Sequence, residues 1–335
     1  MSICMVEKLA FRVLIISALL GGTLAGAGGF KYRFTSIGED LGSGRTVVGC
    51  IRYHTVSSSE TLLDIARQYG LGFSDIQILH PEIDPWIPKV GTQLSIPTCW
   101  ILPPSKHEGV VINLPELRLY RFFPRIRMVK TYPVGIGVMG WETPEGNCRV
   151  VDRKEDPTWM VPLSLREKYG IISMPPGLEN PLGKYWIGLS IKGYGMHGTN
   201  SPWGVGRLIS HGCIRLYPEH IEKLYQEVPV NTPVEIIYEP VKVGFKDMEI
   251  FIEVHPDWYG KISDMEEYTI NRLKELDLID YIEMEKVKAA LERQNGVPIR
   301  IGTLQKGGDR SVAKEAVVSL CCNHLFTQLD KEENR

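Results

Sequence analysis

The chain has 335 residues, enough for two domains or three small ones. It is 43% hydrophobic and 23% charged, an ordinary balance for a globular protein with a substantial core. Its 38 basic and 40 acidic residues leave a formal net charge of −2, and no basic stripe is present, so nucleic acid is not an expected partner.

At the N-terminus Lys8 and Arg12 precede "VLIISALLGGTLAGAGG", an apolar stretch whose Ala25-Gly26-Ala27 has the small-x-small form of a signal-peptidase site. Residues 1–27 therefore read as a signal peptide, with a retained membrane anchor as the alternative. The run from Val13 to Ala27 is short for a span, which needs roughly 20 residues. Either way the rest of the chain is expected in the periplasm or cell envelope. No cysteine follows the apolar run directly, which argues against a lipoprotein. Export changes the meaning of the 7 cysteines, because thiols outside the cytosol can pair. Cys4 leaves with the signal peptide. Cys50 and Cys99 bracket a compact segment and are the first candidate disulfide, whereas Cys321 and Cys322 lie in a polar tail.

Residues 28–49 are glycine-rich and polar and read as a linker or a short leading strand. In residues 50–99, "RYHTV" alternates as a strand does. "TLLDIARQYG" follows as a helix, with Thr61 and Asp64 in capping-box spacing and Gly70 at its end. "SDIQILHPEI" is a second short helix halted by Pro81, and "GTQLSIP" returns as a strand. A βααβ unit this small is marginal on its core alone, which a Cys50–Cys99 bridge between neighbouring strands would relieve. The pattern "YHTV…ETLLDIARQYGL…LHPEI…VGTQLSIP" resembles a LysM module, in which "YTV…DTLWSIAKKYGV…NPGI…PGQKLKIP" is common. The resemblance implies binding of N-acetylglucosamine-containing glycans such as peptidoglycan. "SSS" stands where Pro-Gly or Lys-Gly usually precedes the first helix.

The proline-rich "PTCWILPPSK" reads as a hinge that runs into residues 100–108, a linker. Residues 109–240 carry short β-branched and aromatic runs cut by Gly and Pro, which predicts a mainly β domain. "GVVINLPELRLYRFF" reads as two strands joined at Pro115-Glu116, "MVKTYPVGIGV" as another, and "PVEIIYE" as the closing strand. A helix over Pro218–Val228 interrupts them, with Ile221, Leu224, Tyr225 and Val228 on one face. Residues 241–310 read as a helical appendage, with a Ser263/Glu266 capping box and a break near Asp277. Residues 311–335 read as a poorly ordered tail.

The chemistry concentrates in "MHGTNSPWGVGRLISHGCIRL". A free thiol has a pKa of about 8.5 and needs a base to become a nucleophile near neutrality. His211 is next but one to Cys213, and His197 lies a loop earlier where a separate strand could present it. A base fixed on another strand can be oriented by its own neighbours, so the residues alone favour His197, but only slightly. Gly212 allows a tight turn whose own N–H and that of Cys213 could meet a developing oxyanion. Three other readings compete: inert core residues, a zinc site of His197, His211 and Cys213, and a Cys148–Cys213 disulfide that would silence the thiol. The zinc reading lacks a credible spacing or a fourth ligand, so no metal and no cofactor are expected.

"HGTN…SHGCIRL" resembles the signature of L,D-transpeptidases, the YkuD-type catalytic domain. "VVINLPELRLYRF", "YPVGIGVMGWETPEG", "DPTWMVP", "NPLGKYWIGLS" and "VNTPVEIIYEP" extend the likeness over residues 109–240. It implies a mainly β sandwich or barrel with one or two helices, after a small βααβ LysM module and before a helical segment. By matching position it implies Cys213 as acylated nucleophile, His197 as proton acceptor and the Gly198 carbonyl orienting its ring. It implies His211 as a supporting residue and the turn from His211 through Gly212 to Cys213 as oxyanion hole. Arg215 would hold a stem-peptide carboxylate, Ser210 would support the turn beside the substrate, and Asn200 and Trp203 would line the site. The implied partners are peptidoglycan stem peptides and an acyl acceptor: a second stem, an outer-membrane lipoprotein lysine or a D-amino acid. Water as acceptor would make the same scaffold a carboxypeptidase. A wall-binding protein with a disabled catalytic domain is the rival from another class.

Overall fold

A computed structural model describes residues 30–33 and 45–304. The expected signal peptide and disordered tail, with Cys4, Cys321 and Cys322, lie outside the described residues. Among those described, no helix is long and apolar enough to cross a membrane.

Strand β1 is Phe30–Arg33 and β2 is Val47–Gly49. A compact unit follows, made of β3 (Arg52–Thr55), α1 (Leu62–Gln68), α2 (Phe73–Leu79) and β4 (Gln93–Ile96). Helix α1 starts where it does because Thr61 and Asp64 cap each other reciprocally, with Thr61 N–H to Asp64 Oδ2 at 3.0 Å and Asp64 N–H to Thr61 Oγ1 at 3.1 Å. Its Leu62, Ile65 and Ala66 fall on one face and are fully buried. Strands β3 and β4 pair antiparallel, and β5 (Cys99–Ile101) pairs with β2.

That last pairing bears on two expectations. Val47–Gly49 is a short leading strand, one of the two readings of residues 28–49, whereas residues 100–108 are not a plain linker, because Cys99–Ile101 pairs with it in a ladder that buries Trp100. Cys50 and Cys99 are free thiols rather than a disulfide. The register explains why. Gly49 stands opposite Cys99 and Cys50 N–H bonds Thr98 O, so side chains one step apart leave opposite faces of the ladder.

The next region contributes β6 (Val110–Asn113), β7 (Arg118–Phe123), β8 (Met128–Pro133), β9 (Ile136–Gly137), β10 (Gly146–Glu155) and β11 (Trp159–Met160). It continues with α3 (Leu163–Tyr169), β12 (Ser173–Met174), β13 (Tyr185–Leu189), β14 (Gly195–His197) and β15 (Leu208–Ser210). It closes with β16 (Ile214–Arg215), α4 (Pro218–Glu227) and β17 (Pro233–Ile237). One nine-stranded sheet runs in the order β1-β8-β7-β6-β17-β10-β13-β14-β16. Strand β6 pairs in parallel with β17, Val110 opposite Val234.

Strand β6 is buried at every position because both faces of the sheet are covered. Val110 and Ile112 join one core with Ile221, Leu224 and Val228 around α4. Val111, Tyr120 and Phe122 join a second core with Leu62, Ile65 and Ile76 of the βααβ unit. Each such branched or aromatic side chain contributes about 1.5–3 kcal/mol on burial.

The C-terminal segment is not simply helical. Strands β18 (Val241–Lys246), β19 (Glu249–Val254) and β20 (Ile299–Thr303) form an antiparallel sheet packed against α5 (Met265–Glu275) and α6 (Met284–Arg293). The N-cap of α5 is Asp264, not Ser263; its carboxylate accepts from Glu266 and Glu267 N–H at 2.9 Å each. Asp277, with φ 50°, ends the first helix.

The three regions share buried joints. Phe73 and Ser74 N–H at the start of α2 bond Val205 O and Gly206 O at 3.1 and 3.3 Å. Arg67 grips Glu219 through two 2.7 Å bonds, and the Arg207 guanidinium lies 3.6 Å from the Phe73 ring centre. Deeper, fully buried Lys242 lies 2.8 Å from both Glu116 and Glu253. Arg118 reaches Asp75 at 2.9 Å, and Glu253 accepts from Ile101 N–H. Glu116, Glu253 and His255 also form the one cluster among the described residues with metal-ligand spacing, and the Lys242 ammonium already sits between its carboxylates.

Candidate active site

Strands β14 and β16 set the geometry. They pair in parallel, Met196 opposite Ile214 and His197 opposite Arg215. Met196 and Ile214 are fully buried in the core. Alternation therefore turns His197, Arg215 and, one step before β16, Cys213 toward the other face.

His197 is 3% exposed, and its Nδ1 lies 2.6 Å from Gly198 O. A carbonyl can only accept, so Nδ1 carries the proton and Nε2 keeps a free lone pair. Trp186, the cross-strand partner of His197, stacks on its ring with centroids 5.8 Å apart and planes 21° apart. Burial, reinforced by Arg215, pushes the imidazole pKa down to about 3. The half-buried Cys213 thiol is raised by burial, against which the Gly195 N–H and Arg215 work. Its Sγ lies 3.7 Å from Gly193 O. Both groups are thus uncharged near neutral pH, the thiol because it is raised and the imidazole because it is lowered.

The turn is built from inside. Gly212 holds φ +102°, and a Cβ there would come 2.5 Å from the Tyr194 ring. Ser210, 2% exposed, donates to Cys213 O at 2.5 Å and accepts from Gly212 N–H at 3.1 Å. The Ser210 hydroxyl is thus spent within the turn it was expected to support, and one expectation is corrected: the Gly212 N–H is not free for an oxyanion. Of the donors expected there, that of Cys213 remains.

Arg215 is partly buried, and among the described residues no carboxylate pairs with it; its Nε is buried without a partner. Such a guanidinium is prepared for an anion. His211 packs edge-on against Trp141, with ring centroids 5.3 Å apart. Lys168 and Tyr169 of α3 lie close enough to act electrostatically on His211 and Arg215 respectively. Asn200 donates its amide to Glu179 O at 3.0 Å, and Trp203 is 58% exposed on a separate turn. Cys148 lies in β10 opposite Val234 and is a free thiol, as is Cys213, so the silencing disulfide is not formed.

Trp186 and Gly195 are the contributors that sequence reasoning missed. A Cβ on Gly195 would fall 2.5 Å from the Trp186 ring. Gly195→Ala is expected to displace the indole that seats His197 and to lower turnover by on the order of 10- to 100-fold. Steady-state kinetics beside a thermal melt check this.

His220 of α4 is fully buried between Tyr132 and Tyr217, both ring nitrogens lack partners, and burial lowers its pKa to about 4. Like His197 it is neutral when folded, but it takes a proton near pH 6.5 when unfolded. The stability these two contribute is present above pH 6.5 and is lost as pH falls toward their folded values. At pH 5 the loss is about 2 kcal/mol per histidine. His220→Leu is expected to flatten that acid limb in melts at pH 8 and pH 5; a variant as acid-sensitive as the wild type would contradict it.

A thiol, an imidazole with a free Nε2 and an unpaired guanidinium on one face of a mainly β domain can together run nucleophilic acyl chemistry on an anionic substrate. Residues 107–236 match the family model described as "YkuD: L,D-transpeptidase catalytic domain". The chain is 38% identical to the Escherichia coli K12 protein described as "Probable L,D-transpeptidase YcfS", over 66% of this chain and 73% of that one. It is 35% identical to "Probable L,D-transpeptidase ErfK/SrfK" of the same organism, over 73% of this chain and 84% of that one. The solved catalytic domain of an E. faecium L,D-transpeptidase is 20% identical with a TM-score of 0.32, covering 40% of this chain and 100% of that one. The chain belongs to the L,D-transpeptidase family.

Proposed function

We propose that the chain transfers peptidoglycan stem peptides through an acyl-enzyme on Cys213. The carrying observation is that His197, with Nδ1 held by Gly198 O, shares one face with Cys213 and the unpaired Arg215. Cys213 Sγ attacks the carbonyl of meso-diaminopimelate in a tetrapeptide stem, and its proton passes to His197 Nε2 as the S–C bond forms. Collapse breaks the amide bond, and the D-alanine amine leaves with that proton. An acceptor amine then attacks the thioester, giving its proton to His197; the new amide forms and the thiol is restored. The acceptor is a second stem's diaminopimelate or a lipoprotein lysine. Arg215 binds a stem carboxylate, the Cys213 N–H meets the oxyanion, and His211 with Trp141 supports the turn.

Residues 50–99 act in this reading as a LysM module that holds the glycan. Exposed Tyr53, Trp86, Ile87 and Val90 on that unit, 65%, 59%, 81% and 62% accessible, give sugar rings apolar surface to stack on. A cleaved signal peptide over residues 1–27 would deliver the enzyme to the periplasm.

The test is mass spectrometry of products from purified protein and disaccharide-tetrapeptide. Dimers joined through two diaminopimelates are expected. Tripeptide alone, unchanged when a lipoprotein's C-terminal lysine peptide is added, would make the enzyme a hydrolase. Unaltered substrate with glycan still bound would leave a wall-binding protein.

A further inference from the structure

The C-terminal segment lies beyond the residues matched to the catalytic family, yet one of its side chains enters the catalytic core. Tyr259 is 7% exposed and belongs to the buried cluster that also holds Leu189, Ile214 and residues of α4. Its hydroxyl donates to Gly137 O at 2.8 Å and accepts from Thr143 N–H at 3.4 Å. Thr143 is 1% exposed; its Oγ1 accepts from Gly137 N–H at 3.0 Å and donates to Gly212 O at 2.9 Å. Gly137 also lies on β9 opposite Ser210, the residue that ties the turn from within.

We propose that Thr143 and Tyr259 are positioning residues: a hydrogen-bonded brace runs from Tyr259 through Gly137 and Thr143 to the Gly212 carbonyl and fixes the turn that presents Cys213. The inference rests on Cys213 being the acylated group. Gly212 is the one point of that turn at φ +102°, and rotating its peptide swings the neighbouring Cys213 N–H, the donor left for the oxyanion. Holding its carbonyl fixes that N–H. Tyr259 is itself fixed, because its N–H bonds the Tyr238 hydroxyl at 2.9 Å and the rings stack 5.6 Å apart. Asp257 accepts from Ile262 and Lys261 N–H at 2.7 and 3.0 Å and closes the loop that carries Tyr259. The C-terminal segment therefore completes the catalytic geometry.

The experiment compares full-length Thr143→Val, Thr143→Ser, Tyr259→Phe and Cys213→Ala for initial rates on disaccharide-tetrapeptide, with a thermal melt of each. For Thr143→Val, kcat is expected to fall on the order of 10- to 100-fold with KM held within about twofold, since the turn acts in the transition state. Thr143→Ser is expected to recover kcat to within about threefold, and Tyr259→Phe to lose about fivefold. A wild-type kcat in folded Thr143→Val or Tyr259→Phe overturns the brace, and so does a loss that follows the melting temperature without rescue by serine. If Thr143→Val does not fold, Tyr259→Phe decides by the same criterion. An active Cys213→Ala overturns the parent reading and the brace with it, whereas an inactive Cys213→Ala beside a fully active Thr143→Val overturns the brace alone.

Discussion

If Cys213 carries the acyl group as proposed, Cys213→Ala is expected to fold like the wild type and to transfer acyl groups at least ~10⁴-fold more slowly, because the variant has no thiol to form the covalent intermediate. The thiol's contact to Gly193 O is 3.7 Å long, so its loss costs little stability. Intact-protein mass spectrometry checks the intermediate directly: wild type incubated with tetrapeptide gains the mass of the acyl group, and the variant gains none. His197→Ala is expected to lose on the order of 10³-fold, since the proton then has no fixed acceptor. The uncharged state of both groups adds a second signature. With the thiol raised by burial, alkylation by iodoacetamide at pH 7 runs slower than for free cysteine and accelerates as pH rises. An alkylation rate already maximal at pH 7 would mean a preformed thiolate–imidazolium pair and would contradict the uncharged state.

The second large effect is on stability. Lys242→Met is expected to cost about 3–5 kcal/mol, because it strands two buried carboxylates. Lys242 Nζ lies 2.8 Å from Glu116 and from Glu253 and donates to Ile101 O at 2.6 Å, with no side-chain exposure at any of the three charged groups. Burial pushes the Glu116 carboxyl up, but Lys242, His255 and Arg118 together outweigh it and hold the group below the ordinary carboxylate range. Adding Glu253→Gln to the methionine variant is expected to recover part of the loss, because one stranded charge is then neutral. Urea melts of the three proteins give the energies, and a methionine variant as stable as wild type would show that the network contributes nothing net. Ile101 precedes the catalytic sheet, Glu116 lies within it, and Lys242 and Glu253 follow it, so the variant should unfold all three regions in one transition.

The site was legible in the sequence as residue types, less so as geometry. Cys213, His197 and Arg215 stand out in a glycine-rich stretch, but the residues alone favour His197 over His211 only slightly. That choice depends on β14 lying beside β16, a pairing across a loop. Trp186 could not be found without the register that sets it opposite His197. Within the fold, α1 was readable because its capping box and apolar spacing are local. The β2–β5 ladder was not, since three-residue strands carry no period. The hairpin of β18 and β19 did leave an alternating pattern, but it turns on Asp247-Met248, both at positive φ, where Asn-Gly would have marked the turn. The longer helical period that follows then dominated the reading.

The parallel pairing of β6 with β17 has a consequence for how the molecule is made. A chain synthesised from its N-terminus completes β6 long before the strand that sits beside it, and Thr46 waits still longer for Phe245, 199 positions on. Until Pro233–Ile237 arrives, one side of an apolar strand lies open to solvent and to other chains. Folding is therefore gated by the last third of the polypeptide, and truncation before residue 233 should yield aggregates rather than a smaller working enzyme.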